Sequence, residues 1–308
     1  MDDTHKARVL KKKKNFDYHL LLLAAPFLIL VFVFSYLPIA GWMYAFFKYK
    51  PGMAFSDMQF VGAANFVKVV TRDKFLWTVL RNTLVMSGIN ISLSWVPILF
   101  ALLLSEIGSV RFKKVVQTLS TVPFYISWII VYSLAFAFFS TEGLLYQALS
   151  RLGFGDIRVN ILSSQDIVWQ FQAMLNQWKV FGYYAIVYFA AISGIDQELY
   201  DAAKVDGAGR FRCIAHITLP GIASTFLVLL LLGLANILSN GFEQYFAFHN
   251  ALVAERIEVL DYYVYSVALR NNDIPFATAI GMYKTVISIV LLCLGNFASK
   301  KIRGEYMF

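Results

Sequence analysis

The chain has 308 residues, of which 59% are hydrophobic and only 15% are charged, whereas soluble domains are about 45–50% apolar and about 25% charged. This composition excludes an ordinary soluble enzyme and indicates a protein that crosses a membrane several times. The net charge of +8 does not indicate nucleic-acid binding, because basic loops on the cytoplasmic side of a membrane explain it. Cys213 and Cys293 lie far apart without a CxxC pattern, which predicts neither a disulfide framework nor a zinc site.

Six apolar segments are long enough to cross a bilayer as helices, which takes about 20 residues each. They are residues 20–47, 82–104, 115–139, 168–192, 222–241 and 275–299. The first is uncharged, exceeds the length of a signal-peptide core and is followed by no small-residue cleavage site, so we expect it to be retained. The segments lack the alternation of β-barrel strands. The predicted fold class is therefore an all-α polytopic membrane protein with six transmembrane helices.

The distribution of lysine and arginine predicts the orientation. Six spans place both ends on one side, and basic residues are concentrated at both ends and in the loops at 111–114 and 204–212, which share that side. The loop after the first span is also basic and argues the other way, but the last loop on that opposite side is acidic. We therefore expect both termini in the cytoplasm. The run Lys11 to Lys14 is interpreted as a topology signal near anionic lipid, in preference to a regulatory or nucleic-acid-binding tail.

These features predict three regions. Residues 1–17 form a basic cytoplasmic tail, residues 18–299 form the transmembrane domain, and residues 300–308 form a short cytoplasmic tail. The loop at 195–220, between the fourth and fifth spans, belongs to the transmembrane domain and faces the cytoplasm.

The 195–220 loop has the pattern of a short helix followed by a turn. Residues 197–205 contain no glycine or proline and combine an apolar side (Leu199, Ala202, Ala203, Val205) with a polar side (Asp196, Glu198, Asp201, Lys204). Gly207 and Gly209 then allow a tight turn. A second helical run leads to Leu219 and Pro220, where the proline is expected to open the next span. A cytoplasmic helix of this kind is a possible binding surface for a partner protein.

The same residues resemble a known motif. Asp201-Ala202-Ala203, three residues, Gly207, nine residues and Ile217-Thr218-Leu219-Pro220 are similar to the EAA loop of ABC-importer permeases, with aspartate in place of the usual glutamate. Asn176-Gln-Trp178 and the run from Phe276 to Gly281 look like the maltose-type sugar branch of type I permeases. The run from Gly241 to Tyr245 looks like its lipoprotein-and-polysaccharide-permease subgroup.

The resemblance implies a type I ABC-importer permease fold and a set of partners. Two permease subunits form the pathway, so this chain pairs with a second permease as a heterodimer. Two ATPase subunits dock from the cytoplasm, and an extracellular or periplasmic solute-binding protein delivers the substrate at the bacterial cell (inner) membrane. The residues that the resemblance assigns to ATPase coupling are Asp201, Ala202, Ala203, Gly207, Leu219 and Pro220.

Motifs of catalysis are absent from the sequence. There is no Gly-Lys dipeptide and hence no phosphate-binding G-x-x-x-x-G-K-[ST] loop, no G-x-G-x-x-G and no H-E-x-x-H. We therefore expect no catalytic residue, no metal site and no cofactor in this chain, which is not itself an enzyme. The resemblance places ATP and Mg²⁺ in the partner ATPase.

Polar residues at membrane depth are costly and are candidates for function. The candidate substrate-pathway residues are Asn176, Lys179 and Tyr183 on the fourth span and Asn236 and Asn240 on the fifth. Asn236 and Asn240 are four positions apart, which predicts one helix face. Amides bond sugar hydroxyls and aromatic faces stack on sugar rings. The alternative is that the asparagines join helices across the permease pair.

Two lysines lie deep in predicted spans. Lys179 either faces the pathway, in which case an anionic sugar such as a uronate oligomer is expected, or snorkels or pairs with a carboxylate such as Glu243. Lys284 is expected to snorkel or pair in the same way.

The preferred hypothesis is carbohydrate import of an oligosaccharide or polysaccharide fragment by a binding-protein-dependent ABC importer. An importer of another solute, such as an amino acid or polyamine, is the first alternative. The second is an autonomous secondary transporter or channel, which inverted repeats would favour, and the sequence shows none.

Overall fold

The computed structural model describes residues 18–71, 74–153 and 160–303, and most of this part of the chain is helical. The predicted tail at 1–17 and positions 304–308 lie outside the described residues. The chain separates into two compact units, Met1–Tyr44 and Ala45–Phe308, a division that the domain prediction did not include. The predicted all-α class is confirmed.

The first unit contains the first predicted span. Helix α1 (Tyr18–Val31) continues into a π-helical turn (Phe32–Tyr36) and a 3₁₀ helix (Leu37–Phe46) whose last two residues belong to the second unit. Pro38 stands at the second position of the 3₁₀ helix and cannot donate a backbone hydrogen bond. The missing donor fits the departure from regular α-helical geometry on either side of it.

The second unit begins with a small antiparallel pair, β1 (Phe47–Lys48) and β2 (Gln59–Phe60), in which Phe47 faces Phe60 across the strands. Its helices follow in chain order: α2 (Ala64–Thr71), α3 (Lys74–Ser92), α4 (Trp95–Ser105), α5 (Val110–Tyr125), α6 (Trp128–Phe139), α7 (Leu144–Arg151), α8 (Val168–Ser193), α9 (Gln197–Val205), α10 (Arg210–Cys213), α11 (Leu219–Ala235), α12 (Glu243–Phe248), α13 (Ala254–Ile257), α14 (Leu260–Tyr265) and α15 (Ile274–Arg303). Short 3₁₀ helices lie at Phe55–Asp57 and Ile161–Ser163, and π-helical turns at Ile214–Thr218 and Ser266–Arg270.

Five helical runs in the described part of the chain are long and apolar enough to cross a bilayer. They are Leu21–Phe46, Lys74–Ser105, Trp128–Arg151, Arg210–Ala235 and Ile274–Lys301. A sixth is obtained when α8 and α9 are taken together, with a bend of 67° between them. The six predicted spans therefore correspond to helical runs, with different bounds.

The third predicted span, 115–139, is interrupted. Helix α5 ends at Tyr125, Ile126 is extended, and α6 begins at Trp128. Ser127 caps the new helix, because its hydroxyl accepts a hydrogen bond from the Ile130 N–H at 3.4 Å. The apolar run that is long enough to cross a membrane here is Trp128–Arg151.

The second unit holds three apolar clusters. The first joins α3, α6, α8 and the α12–α14 region around Met86, Tyr245 and Tyr262. The second joins α2, α3, α14 and α15. The third joins α4, α8 and α11 around Ala101, Tyr188 and Ile222. Helix α8 contributes to the first and third clusters, so it is the element on which both functional regions below are built.

Candidate functional site

Helix α9 is an amphipathic helix with the bounds that the sequence predicts, Gln197–Val205. Its first turn is capped by Asp196, whose carboxylate accepts a hydrogen bond from the Glu198 N–H at 3.0 Å. The Tyr200 hydroxyl lies 2.9 Å from the hydroxyl of Thr218, which is buried. This contact ties α9 to the residue that precedes α11.

The end of α9 forms a Schellman motif. The Gly207 N–H donates to the Lys204 carbonyl at 3.0 Å, and the Ala208 N–H donates to the Ala203 carbonyl at 2.8 Å. Gly207 has a φ of +74°, a backbone conformation that is sterically unfavourable for residues with a Cβ. The predicted turn is therefore present, and Gly207 is the residue that permits it.

The tip of the 195–220 loop carries exposed apolar side chains. Val205 and Phe211 are 88% and 89% exposed, one on either side of the glycine turn. Asp201 and Lys204, which also lie in the loop, form an exposed ion pair at 2.9 Å. Large apolar side chains left outside the fold in this way are typical of a docking surface.

As the sequence predicts, a second helical run leads to Pro220, and the proline lies in the first turn of α11. The helical run starts at Arg210 and continues to Ala235. The π-helical turn at Ile214–Thr218 immediately precedes the proline. Pro220 cannot donate to the carbonyl of His216, and a widened turn accommodates the missing bond without ending the helix.

A cavity of about 370 Å³ lies between α3, α8 and α11. None of its lining residues is charged. The polar and tyrosine residues that line it are Ser87, Asn90, Ser94, Asn176, Gln177, Tyr184, Tyr188, Asn236, Ser239 and Asn240. The cavity therefore presents amide groups, hydroxyl groups and aromatic rings together with apolar side chains.

Hydrogen bonds order part of this lining. The Asn240 amide donates to the Ser87 hydroxyl at 2.8 Å, and Ser87 donates to the Ile237 carbonyl at 2.5 Å. The Asn176 amide donates to the Asn90 side-chain oxygen at 3.2 Å. The Asn240 side-chain oxygen is buried without a hydrogen-bond partner among the described residues.

Asn236 and Asn240 both line the cavity, but they do not share a helix face as predicted. Helix α11 ends at Ala235, and Asn236 is its C-cap, with its amide donating to the Leu232 carbonyl at 2.9 Å. Asn240 lies in the following loop, just before Gly241, whose φ is +87°. The loop after α11 brings Asn240 back to the cavity. Asn236 and Asn240 therefore both reach the cavity because of this loop, and not because of their helical spacing.

Two of the five predicted pathway residues do not line the cavity. Lys179 is only 7% exposed, and its ammonium donates to the carbonyls of Pro123, Phe124 and Ile126. It therefore caps the end of α5, where carbonyls lack helical partners. Tyr183 stacks on Phe124 with ring centroids 4.0 Å apart. Neither side chain belongs to the cavity lining.

Lys284 pairs with a carboxylate, as expected, and the carboxylate is Asp261 rather than Glu243. The other oxygen of Asp261 accepts a hydrogen bond from the Gly241 N–H at 3.0 Å. The ion pair thereby holds the turn that follows Asn240.

The sequence analysis missed the contribution of α3. Ser87, Asn90 and Ser94 all line the cavity. Ser87 and Asn90 lie on α3 with a spacing of three, which places them on one helix face, and Ser94 lies in the turn before α4. Polar residues at that spacing in an apolar span were the signal available.

Residues 94–304 match the family of binding-protein-dependent transport system inner membrane components. The chain is 37% identical to the polygalacturonan/rhamnogalacturonan transport system permease protein YteP of Bacillus subtilis (strain 168), over 94% of this chain and 90% of that protein. It is 36% identical to the protein LplB of the same organism, over 95% and 92%.

The fold is also similar to a chain in a solved structure of a bacterial alginate ABC transporter in complex with alginate pentasaccharide-bound periplasmic protein. The TM-score is 0.83 at 32% identity, covering 94% of this chain and 97% of that chain.

Proposed function

Because this chain belongs to the family of binding-protein-dependent transport system inner membrane components, we propose that it forms half of the translocation pathway of an ATP-driven oligosaccharide importer. The observation that carries this proposal is the uncharged cavity between α3, α8 and α11. Its amides and hydroxyls suit sugar hydroxyls, and its volume lies within the range of about 300–1,000 Å³ found for small-molecule sites. Tyr184, which is 42% exposed, offers an aromatic ring to the sugar.

The proposed substrate is an oligosaccharide that contains uronates. The names of the similar proteins support this, since one relative is described for polygalacturonan and rhamnogalacturonan and the solved structure holds an alginate pentasaccharide. Galacturonan and alginate are both polymers of uronic acids. An amino acid or polyamine has no comparable support, since none of the similar proteins named above is described for either one.

The proposed partners follow from the single 195–220 loop. One such loop engages one ATPase, so the complete importer would contain two ATPase subunits, a second permease and a solute-binding protein, with ATP and Mg²⁺ held by the ATPases. In this arrangement the 195–220 loop and both termini face the cytoplasm. Supporting features are the exposed apolar tip at Val205 and Phe211 and the rigid cap at Gly207.

Substitution of Gly207 tests the coupling role. Gly207→Val forces a β-branched residue into a left-handed conformation, so the turn should rearrange and substrate-stimulated ATP hydrolysis of the purified importer should be lost while membrane insertion is retained. Gly209→Val is the matched control, because a Cβ at Gly209 meets nothing within 4 Å and its φ of −75° suits valine. Normal stimulation in Gly207→Val would reject the assignment.

Substitution of Asn240 tests the pathway role. Asn240→Ala removes the amide that holds the Ser87 hydroxyl in the cavity wall, so the KM for uptake of trigalacturonate should rise about 3- to 10-fold, the equivalent of one hydrogen bond. The control is Asn271→Ala, at an exposed position outside the cavity lining. Uptake of an amino acid or polyamine, with none of any oligosaccharide, by the importer captured from native membranes would refute the substrate class.

A further inference from the structure

One face of α8 runs from the cavity toward the end of the helix far from the 195–220 loop. Asn176, Gln172 and Trp169 are spaced by four and three residues, so they follow one another along that face. Trp169 lies about 10 Å along the helix from Asn176, at 1.5 Å per residue. Asn176 lines the cavity, and Trp169 is half-buried at the second position of the helix.

A buried hydrogen-bonded pair separates the two ends of this face. The Gln244 amide donates to both the side-chain oxygen and the backbone carbonyl of Gln172, at 2.8 and 2.9 Å. Both glutamines are at most 3% exposed. Trp169 therefore lies on the far side of this buried pair from Asn176, toward the end of α8 from which, in the proposed function, a substrate would approach the cavity.

Two arginines converge on Trp169. The guanidinium carbon of Arg256 lies 4.6 Å from the indole centroid, and that of Arg81 lies 5.8 Å from it. The indole N–H donates to the Arg256 carbonyl at 2.7 Å, which fixes the ring. Arg81 also donates to the Asn82 side-chain oxygen at 3.2 Å.

In the described part of the chain, neither guanidinium forms an ion pair. Within residues 18–71, 74–153 and 160–303, neither guanidinium has a carboxylate oxygen within 4 Å. The negative face of the indole attracts each guanidinium, but the repulsion between two like charges around one ring remains. A carboxylate bound at this cluster would offset the positive charge and accept paired hydrogen bonds from a planar guanidinium group.

A uronate sugar matches this arrangement, because it presents a carboxylate beside a ring with an apolar face. The cavity provides no charged side chain, and the ammonium of Lys179 is occupied by three carbonyls. Recognition of the substrate charge therefore has to occur elsewhere.

We propose that Arg81, Trp169 and Arg256 form an entry site that binds the carboxylate of a uronate oligosaccharide before it reaches the cavity, and that this site sets the preference for acidic over neutral sugars. The inference rests on the proposed function, since it concerns the same substrate and pathway.

The test compares uptake of trigalacturonate with uptake of its methyl ester by the complete importer in proteoliposomes. The double variant Arg81→Gln with Arg256→Gln should lower kcat/KM for the acid by about tenfold or more, as expected for lost charge-assisted hydrogen bonds. Uptake of the ester should remain unchanged, and raising the salt concentration should reduce the difference between the two substrates in the unmodified importer. The matched control is Arg270→Gln, because the guanidinium of Arg270 lies over the Tyr262 ring at 5.6 Å.

Equal losses for the acid and the ester would overturn the proposal, since they indicate a role in folding or in docking of the binding protein. An importer that takes up neither compound would refute the proposed function instead. The site is then decided by titrating the detergent-purified importer, without binding protein, with trigalacturonate and with maltotriose. A saturable change in tryptophan fluorescence with trigalacturonate alone, lost in Trp169→Phe and weakened in the double variant, is the expected result; no change, or one that persists in Trp169→Phe, overturns the proposal.

Discussion

Replacing Lys179 with methionine tests whether this buried lysine serves the fold or the substrate. The ammonium satisfies the carbonyls of Pro123, Phe124 and Ile126 at the break between α5 and α6. Methionine has a similar length and no donor, so Lys179→Met leaves the carbonyls of Phe124 and Ile126 unpaired in a buried place, while the Pro123 carbonyl still accepts from the Ile126 N–H at 3.2 Å. An orphaned buried acceptor costs about 1–3 kcal/mol.

The total loss should be smaller than two such penalties. The variant also removes a buried cation, and its desolvation cost disappears with it. We therefore expect Lys179→Met to destabilise the fold by about 2–4 kcal/mol, the cost of two orphaned buried acceptors reduced by that relief.

Thermal unfolding of the purified importer measures this loss, with Lys113→Met as the matched control. The Lys113 ammonium donates to one carbonyl, that of Ser105, at 2.9 Å, so its removal should cost about 1 kcal/mol or less. The ratio of acidic to neutral sugar uptake should be the same in Lys179→Met as in the unmodified importer. A selective loss of acidic uptake at unchanged stability would place Lys179 in the pathway and refute the capping role.

Two further substitutions probe packing and burial. In Gly182→Ala the new Cβ would lie 2.1 Å from the Ser120 backbone carbonyl oxygen, so α5 and α8 must separate and we expect the protein to lose about 1–3 kcal/mol of stability in thermal unfolding. The control is Gly88→Ala, which should be neutral or stabilising because a Cβ there meets nothing within 4 Å. Equal effects of the two variants would contradict the close approach of α5 and α8. Burial raises the pKa of Glu258 above its ordinary value of 4.5 and outweighs the opposing charge of Arg270. The folded state therefore binds this proton more tightly than the unfolded state does. The free energy of unfolding falls as the pH rises from below 4.5 through the raised pKa. Glu258→Gln should remove that fall from the unfolding midpoint measured between acidic and neutral pH, and an unchanged pH profile would show that another group causes it.

Local signals account for what the sequence predicted well. Helix α9 has the predicted bounds because both of its ends are determined within the helix and its neighbours, by the cap at Asp196 and the left-handed glycine at Gly207. The spans are recognisable for a similar reason, since apolar length alone decides which segments can cross a bilayer.

The misplaced residues depended on contacts that a sequence does not display. The partners of Lys179 are backbone carbonyls, which every residue possesses, so no pattern of side chains indicates them. Asn240 was assigned to a helix that ends at Ala235, and its place in the cavity depends on a turn held by Asp261 from a distant part of the chain. The sequence shows that Lys179 and Asn240 are polar residues within apolar segments. It does not show which groups each of them contacts.

Helix α8 connects the two functional regions physically. It lines the cavity with Asn176 and Tyr184, and it leads through the 67° bend into α9. Its middle is fastened to α5 by the close approach of Gly182 to Ser120 and by Lys179 on the carbonyls beyond it. If the proposed coupling role holds, we expect a displacement of the 195–220 loop to reach, through α8, both the cavity wall and the break between α5 and α6. Separate loosening of these two attachments, by Gly182→Ala and by Lys179→Met, should weaken the coupling between ATP hydrolysis and uptake even where each region remains folded.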